Sequence, residues 1–485
     1  MALQDELTVT LESASFACDD LKVRKIVGTE AIGRLFDFEV QVVCPDHDGP
    51  SPDSMLGAGV TLVLERQGDA GAGWHGARRV HGTVAEVDDL LSTHAGVREY
   101  ALRVVPRAYL LAMVETQDIF MNLSVPDIIR SKIESVDLTS DLEMRLTGTY
   151  AKREFVVQYK ESDLAFVSRL AEHAGISFYL EPGDASDKLV FTDHQAGFWR
   201  GDDERDIPFH SNAEQGGVTA LAAKRRVVPA YYVVNDYNYR TPQVDLIGEH
   251  QLEGAFAGGV VEFGAHHKTP VEAQALASIR AEERLAAQRV YTGKSRVPGL
   301  SAGTRVTIAD HPDLGSVQLL VTEVEHRATQ IAGADGERTG YENTFRAIPA
   351  ERTYRPPRVT PRPRIAGLIT GVIDGGPAGA RPRYAQIDEQ GRYWVRFHFD
   401  LTTPGERPAS RPVRMLQNHA GAGYGTHFPL KPGVEVLIGF VDGDPDRPLI
   451  VGAVPNPVTP SPVNGANPGV HRVQTSTGIC VDLAE

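Results

Sequence analysis

Three carboxylates stand at alternate positions in GFVDGDPDRPLIVG, residues 439–452: Asp442, Asp444 and Asp446, followed at once by Arg447. Aspartates so spaced bind calcium when a loop wraps them around the ion. Counting Asp442 as first, however, Arg447 takes the sixth place, where glycine makes the turn, and Ala453 the twelfth, where a bidentate glutamate completes the shell. Gly443 and Pro445 instead break a strand, the aspartates can accept from neighbouring amides, and an adjacent arginine can pair with a carboxylate. The segment reads as a hairpin tip, with Asp444, Asp446 and Arg447 fixing the turn.

The other chemical candidates meet similar objections. GLSAG, residues 299–303, matches the G-x-S-x-G elbow of serine hydrolases, and sixteen histidines are on hand as bases. The elbow needs a helix after Ser301, whereas TRVTIAD, which follows, has the pattern of a strand. GAGYG, residues 421–425, resembles half of a phosphate loop, but neither a helix start nor Lys-Ser/Thr follows, so it reads as a flexible or close-packed loop. His266 and His267 are adjacent, point to different sides of their element and lack H-E-x-x-H spacing. In RYWVRFHFD, Tyr393, Val395, Phe397 and Phe399 share one face, expected buried, while Arg396, His398 and Asp400 share a wet one. The aromatic face suits a core better than base stacking, because the flanking charge is not basic enough to track phosphates. The expectation is no catalytic, cofactor-binding or metal-ligating residue, and no cofactor.

The elements that carry these residues are mostly short alternating apolar segments, such as RLFDFEVQVVC and REYALRVVP, separated by Gly, Pro, Asp and Asn, which indicate antiparallel sheet. Three helices interrupt them. SVPDIIRSKIESV opens with Ser124 and Asp127 at capping-box spacing. Ser162 caps a second, whose Leu164, Val167, Leu170, Ala171 and Ala174 form a stripe that ends at Gly175. Thr269, Pro270 and Glu272 open a third, alanine-rich and expected at the surface. Prolines 356, 357, 361 and 363 mark an extended linker. The fold class expected is mainly β with a few helices. It comprises a β-barrel over 1–110, an α/β insert over 111–220, a second barrel over 221–350, the linker at 351–364, an oligonucleotide/oligosaccharide-binding (OB) type barrel over 365–457, and the start of a needle over 458–485.

Composition narrows the function classes. A net charge of −15 disfavours nucleic acid and anionic lipid as partners. Cys18, Cys44 and Cys480 form no C-x-x-C pair, which argues against a zinc ribbon or a disulfide framework and points to a reducing compartment. The start, MALQDELTVTLES, lacks the basic and apolar regions of a signal peptide, and no run reaches the roughly 18 apolar residues of a membrane span.

Against this background, FVVQYKESDLAFVSRLAEHAGISFYLE resembles the signature of the valine-glycine repeat proteins (VgrG), spikes of type VI secretion and related contractile injection machines. Gln158, Tyr159, Glu161, Ser162, Phe166, Arg169, Leu170, Gly175 and Ile176 fall in the family's order, as does VPDII at 125–129. GRYWVRFHFD and GTHFPLKPGVEVLIGFVDGDPDRPLIVGAVPN are similar to a central strand and the closing hairpin of its OB-type module. The resemblance implies a non-enzymatic homotrimer like a fused phage hub and spike, adapting a sixfold tube to a threefold needle. It implies as partners an Hcp-like tube protein, baseplate components, a PAAR-like tip protein and effectors. It also implies assembly in the cytoplasm before secretion by the machine itself. Family members continue into a long β-helix. HRVQTSTGICVDLAE only begins a β-helix or β-prism, so a short or truncated needle is expected, without an effector domain. A prophage baseplate hub is the alternative within structural proteins, and a hydrolase using Ser301 the alternative from another class.

Overall fold

A computed structural model describes residues 6–45, 49–67, 77–90, 97–199, 206–210, 216–330, 340–375, 384–403 and 405–484. The chain is mainly β with a few helices, and it divides into two compact units. The first comprises Met1–Val114, Ile129–Thr149 and Val167–Thr360; the second comprises Glu115–Ile128, Tyr150–Phe166 and Pro361–Glu485.

The first unit is built on a 12-stranded sheet. Strands Glu6–Ser13, Gly59–Gln67, Ala77–Asp89, Arg98–Val105, Arg34–Cys44 and Lys22–Ala31 follow one another antiparallel around a core that includes Val9, Phe38, Val40, Leu62, Tyr100 and Leu102. Alternation places every second side chain inside, as the sequence pattern requires. The Gln330 side chain closes this barrel without a strand: its Nε2 donates to Val9 O (2.7 Å) and Val23 O (3.0 Å), and its Oε1 accepts from Val9 N (2.9 Å). Lys22–Ala31 also pairs antiparallel with Gly315–Thr329, from Ala31↔Glu323 to Lys25↔Thr329. Through it the sheet runs on into Gly340–Pro349, Arg289–Ser295 and Val218–Arg225, which enclose a second core with Tyr291, Leu319, Val324 and Phe345.

The helix signals act locally as read. Ser124 Oγ accepts from Asp127 N (3.3 Å) while Asp127 Oδ2 accepts from Ser124 N (3.2 Å), opening Val125–Glu134. Ala165 N donates to Ser162 Oγ (3.2 Å) at the start of Asp163–Ala174, and Gly175 follows at φ 72°. Thr269 Oγ1 accepts from Glu272 N (3.2 Å) ahead of Pro270–Ala286. This last helix is not the plain surface helix expected. Ala273, Ala277, Ala281 and Leu285 pack against a three-stranded sheet that carries Tyr232 and Val234, and Arg280 is fully buried. Small alanines let backbones approach, and the guanidinium enters because it finds partners: Glu262 Oε2 (3.3 Å), His173 O (3.1 Å) and His173 Nδ1 (3.1 Å).

In the second unit, strands Val395–Phe397, Ile369–Ile373, Glu435–Phe440 and Pro448–Ala453 lie side by side in that order. Their core holds Tyr393, Val395, Phe397, Val436, Ile438 and Ile450 together with Ile119, Phe155 and Val157. The wet face expected for RYWVRFHFD is only partly so. The Asp400 carboxylate is buried, accepting from Arg407 Nη2 (2.8 Å) beside Arg396 Nη1 (3.4 Å), while His398 is exposed. Near the end of the described chain, Val470–Gln474 and Cys480–Ala484 form a separate antiparallel hairpin.

Candidate functional site

The three aspartates occupy the tip between Glu435–Phe440 and Pro448–Ala453, in the second unit. Asp442 and Gly443 adopt left-handed backbone, φ 58° and 71°, and Asp444 Oδ1 accepts from Asp446 N (3.0 Å), which fixes the turn as expected. The sequence did not show what else they hold. Asp444 and Asp446 are buried, and Asp446 Oδ1 accepts the amide of Val157 at 2.7 Å. The guanidinium of Arg362, from the proline-rich run, reaches both: Nη1 lies 3.4 Å from Asp444 Oδ2 and Nη2 3.4 Å from Asp446 Oδ2. Arg447 Nε lies 3.8 Å from Asp444 Oδ2. Gly443 O accepts from Ile365 N (2.8 Å), so the same turn also ties down the backbone beyond the prolines. The cluster is a clasp of two carboxylates, one guanidinium and a strand amide.

The rest of the proline-rich run is held the same way by the first unit. Arg355 Nε donates to Glu282 Oε2 (2.6 Å) and its Nη1 to Gly175 O (2.9 Å) and Asp193 O (2.6 Å). Arg358 forks onto Glu262 (2.8 and 2.9 Å), while its Nη2 donates to Tyr232 OH (2.9 Å) and its Nε to Glu283 (3.1 Å). Thr360 Oγ1 donates to Glu172 (2.6 Å). Proline removes backbone donors, so attachment falls to side chains, and arginine's planar fork suits carboxylates. The recurrence of arginine among the prolines, at 355, 358, 362 and 364, was the available signal.

A second cluster had no signal in spacing. Within the first unit, Glu30 Oε1 accepts from Arg78 Nη2 (2.9 Å) and from His326 Nε2 (2.8 Å). A carboxylate only accepts, so Nε2 carries the proton and His326 Nδ1 accepts from Tyr341 OH (2.6 Å), which in turn accepts from Asn343 Nδ2 (2.9 Å). Arg78 Nη1 also donates to Pro298 O (3.0 Å) and Leu300 O (3.1 Å). Burial alone would push the Glu30 carboxyl up, but Arg78 and His326 outweigh it and hold it below the usual range. Burial, then the Arg78 charge, pushes the His326 imidazole down. The group joins strands on both sides of the pairing between Lys22–Ala31 and Gly315–Thr329.

The remaining candidates sit in structural settings. Ser301 is buried in a turn that leads into the strand Arg305–His311, and its Oγ has no hydrogen-bond partner among the described residues. Gly303 beside it has φ 84°, and a Cβ there would stand 2.3 Å from the Tyr179 ring. Gly421 and Tyr424 pair in a short exposed hairpin. His267 is buried with Nε2 on Leu246 O (2.8 Å), whereas His266 has φ 60° and its amide donates to Asp236 Oδ2 (2.7 Å). Tyr393 and Phe397 are core residues, with the Tyr393 hydroxyl 2.7 Å from His427 Nε2. Among the described residues no group of three or more His, Cys, Asp or Glu side chains is arranged to hold a metal ion.

A continuous sheet through two barrels, followed by an OB-type module, defines a hub-and-spike class of architecture. The phage tail baseplate hub (GPD) family model matches residues 29–332, and the chain belongs to that family. The type VI secretion system/phage-baseplate injector OB domain matches residues 385–454. The chain is similar to the type VI secretion system spike protein VgrG4b of Pseudomonas aeruginosa, 32% identical over 465 residues, which are 91% of this chain and 55% of that protein. It is also similar to the spike protein VgrG3 of Vibrio cholerae, 30% identical over 371 residues, 73% of this chain and 35% of that protein. The chain spans about half the length, or less, of these two relatives. Among solved structures, the E. coli c3393 protein, a component of the type VI secretion system with structural similarity to T4 bacteriophage tail proteins gp27 and gp5, superimposes with a TM-score of 0.65. It is 25% identical, and the match covers 92% of this chain and 100% of that one.

Proposed function

We propose that the chain is one subunit of a homotrimeric, non-enzymatic spike of a type VI-like contractile injection machine. It adapts a sixfold tube to a threefold needle, helps puncture target membranes and delivers effectors. The observation that carries this reading is the succession, in one chain, of a hub-family segment and an injector OB segment. Two barrels per subunit make six around a threefold axis, which matches a sixfold tube. The Val470–Gln474/Cys480–Ala484 hairpin supports association. Val473, Ile479, Val481 and Leu483 are each more than half exposed, and a lone two-stranded hairpin is marginal in water unless its apolar faces are covered. Neighbouring copies cover them in a trimer. A part that transmits force needs obligate interfaces of ~2,000 Å² or more.

The partners in this reading are an Hcp-like tube protein, baseplate components, a PAAR-like tip protein and effectors, with no nucleic acid. The subunit assembles in the cytoplasm and leaves through the machine. Among the described residues no helix is long and apolar enough to cross a membrane. Light scattering on the purified chain gives three copies per particle. A stable monomer at micromolar concentration, with no trimer on assembled tubes, overturns the proposal. A prophage baseplate hub is favoured as second reading by the hub-family match itself, and sheath, tube and baseplate genes beside this one decide between the two.

A further inference from the structure

The three-stranded sheet of the first unit, with Leu246–Gln251, Tyr231–Asp236 and Gly259–Phe263 in that order, has one covered face and one open one. Tyr232, Val234 and Leu252 pack with the helix Pro270–Ala286. Gly248 lets that helix close in, since a Cβ there would stand 2.3 Å from the backbone of Ala273. On an open face the alternation of a strand calls for polar side chains. Instead Ile247, Val261 and Phe263 are each more than half exposed, and Tyr231 is exposed with them. They adjoin one another, because Val261 pairs with Val233, and Asn235 has Ile247 on one side and Phe263 on the other. Open apolar patches of this kind mark contact sites. Along one rim the same alternation places Asp245, Glu249 and Glu253, all exposed and without an ion-pair partner among the described residues.

The same unit carries a surface of opposite charge. Val218–Arg225 ends the large sheet, and from Ala220 onward its outer side has no strand beside it among the described residues. Lys224, Arg225 and Arg226 follow one another there, in a chain whose net charge is −15, and Val227 beside them is 75% exposed. A lysine on an edge keeps other strands away. Arg225, however, also stands directly across from Arg289, and like charges so placed destabilise the pairing unless an anion lies between them. None of these four cations has a carboxylate partner among the described residues, so the rim of the same chain is not their counter-charge. We propose that the two surfaces meet between copies: the basic strand end of one subunit lies on the open face of the three-stranded sheet of the next. Val227 covers Val261 and Phe263, and the cations reach the Asp245, Glu249 and Glu253 rim. Such a contact joins two different patches, so it is heterologous and closes a ring instead of pairing two copies about a twofold axis. The contact rests on the spike reading for its copy number of three, and on the first unit alone for its two surfaces.

The test is sedimentation of the full chain over a dilution series from about 100 μM to about 10 nM. Wild type forms trimers that dissociate on dilution. Arg225→Glu/Arg226→Glu and, separately, Glu249→Lys/Glu253→Lys raise the concentration of half-dissociation about tenfold or more, and the two pairs combined return it to near the wild-type value. Glu65→Lys/Glu342→Lys places the same two charges at exposed positions elsewhere in the first unit. Combined with Arg225→Glu/Arg226→Glu, it restores the net charge without restoring assembly. Phe263→Asp changes an exposed side chain, so the variant folds with unchanged circular dichroism, and it also weakens assembly. A wild type that stays monomeric or stops at two copies overturns the spike reading and the contact together. Trimers that persist unweakened in both charge-reversed pairs and in Phe263→Asp overturn the contact and leave the spike reading standing. Rescue by Glu65→Lys/Glu342→Lys as complete as by Glu249→Lys/Glu253→Lys does the same.

Discussion

Replacing Asp446 with alanine removes the acceptor of the Val157 amide, 2.7 Å away and buried, together with one of the two carboxylates on Arg362. The orphaned amide costs about 1 to 3 kcal/mol. The Arg362 pair adds at most ~1 kcal/mol, because that guanidinium is one-third exposed and its attraction is screened. The sum is about 1 to 4 kcal/mol. At a urea dependence of roughly 2 kcal/mol per molar, the unfolding midpoint of the second unit falls by about 0.5 to 2 M. A chain that keeps Trp394 as its single tryptophan reports that unit. Asp446→Asn retains Oδ1 for Val157 and loses only the charge, so it shifts the midpoint much less. Asp442→Asn is the control: Asp442 is exposed and meets Arg364 at 3.6 Å, Asn tolerates the left-handed backbone at φ 58°, and loss of the charge stays within about 0.5 kcal/mol. If Asp446→Ala moves the midpoint no further than Asp442→Asn, the clasp does not hold the turn.

Glu30→Gln leaves Arg78 buried without its counter-charge and costs about 3 to 5 kcal/mol, read as a lower melting temperature; adding Arg78→Met recovers part of the loss. Wild-type stability declines in acid, first as pH drops below about 6.5, where the unfolded chain protonates the histidine that the fold keeps neutral at position 326, and again below about 4 as Glu30 takes a proton. Asp187 has the opposite sign. Its carboxyl is raised from 3.8 to about 7, so its contribution to stability falls as pH rises across that interval, by roughly 4 kcal/mol at most. Asp187→Asn therefore melts higher than wild type at about pH 8 and equally at about pH 4. Ser301→Ala removes a buried hydroxyl that has no hydrogen-bond partner among the described residues, so stability changes by less than about 0.5 kcal/mol or rises slightly, and an ester-hydrolysis screen reads the same before and after.

Legibility in the sequence followed the range of the interaction. The capping residues Ser124, Ser162 and Thr269 act within four residues of themselves, and each caps where its motif placed it. The strand pattern around residues 393–399 likewise identified Tyr393, Val395 and Phe397 as core. The helix Pro270–Ala286 differs from the surface helix expected because the partners that bury Arg280, Glu262 and His173, come from other elements. Glu30, Arg78 and His326 are separated by 48 and 248 residues; the first barrel brings Arg78 to Glu30, and the pairing of Lys22–Ala31 with Gly315–Thr329 adds His326. Alternation shows that a strand has an inner face, not which distant strand will supply the counter-charge.

The two groups of carboxylates that attract attention differ in one countable respect. Around the 442–446 turn, Asp444 Oδ1 faces the Asp446 amide, Asp444 Oδ2 faces Arg362 and Arg447, Asp446 Oδ1 faces Val157 N and Asp446 Oδ2 faces Arg362. Every oxygen of the buried pair is occupied, so a calcium ion would have to displace an arginine and a strand amide before it gained a ligand. That is why alternate aspartates, which look like chemistry in the sequence, serve as attachment in the fold. Asp187 inverts the case: it stands in no motif, yet its buried Oδ1 has no hydrogen-bond partner among the described residues. Which lone pairs the fold leaves unoccupied and reachable, rather than how closely carboxylates cluster in the sequence, decides whether a carboxylate can bind a ligand.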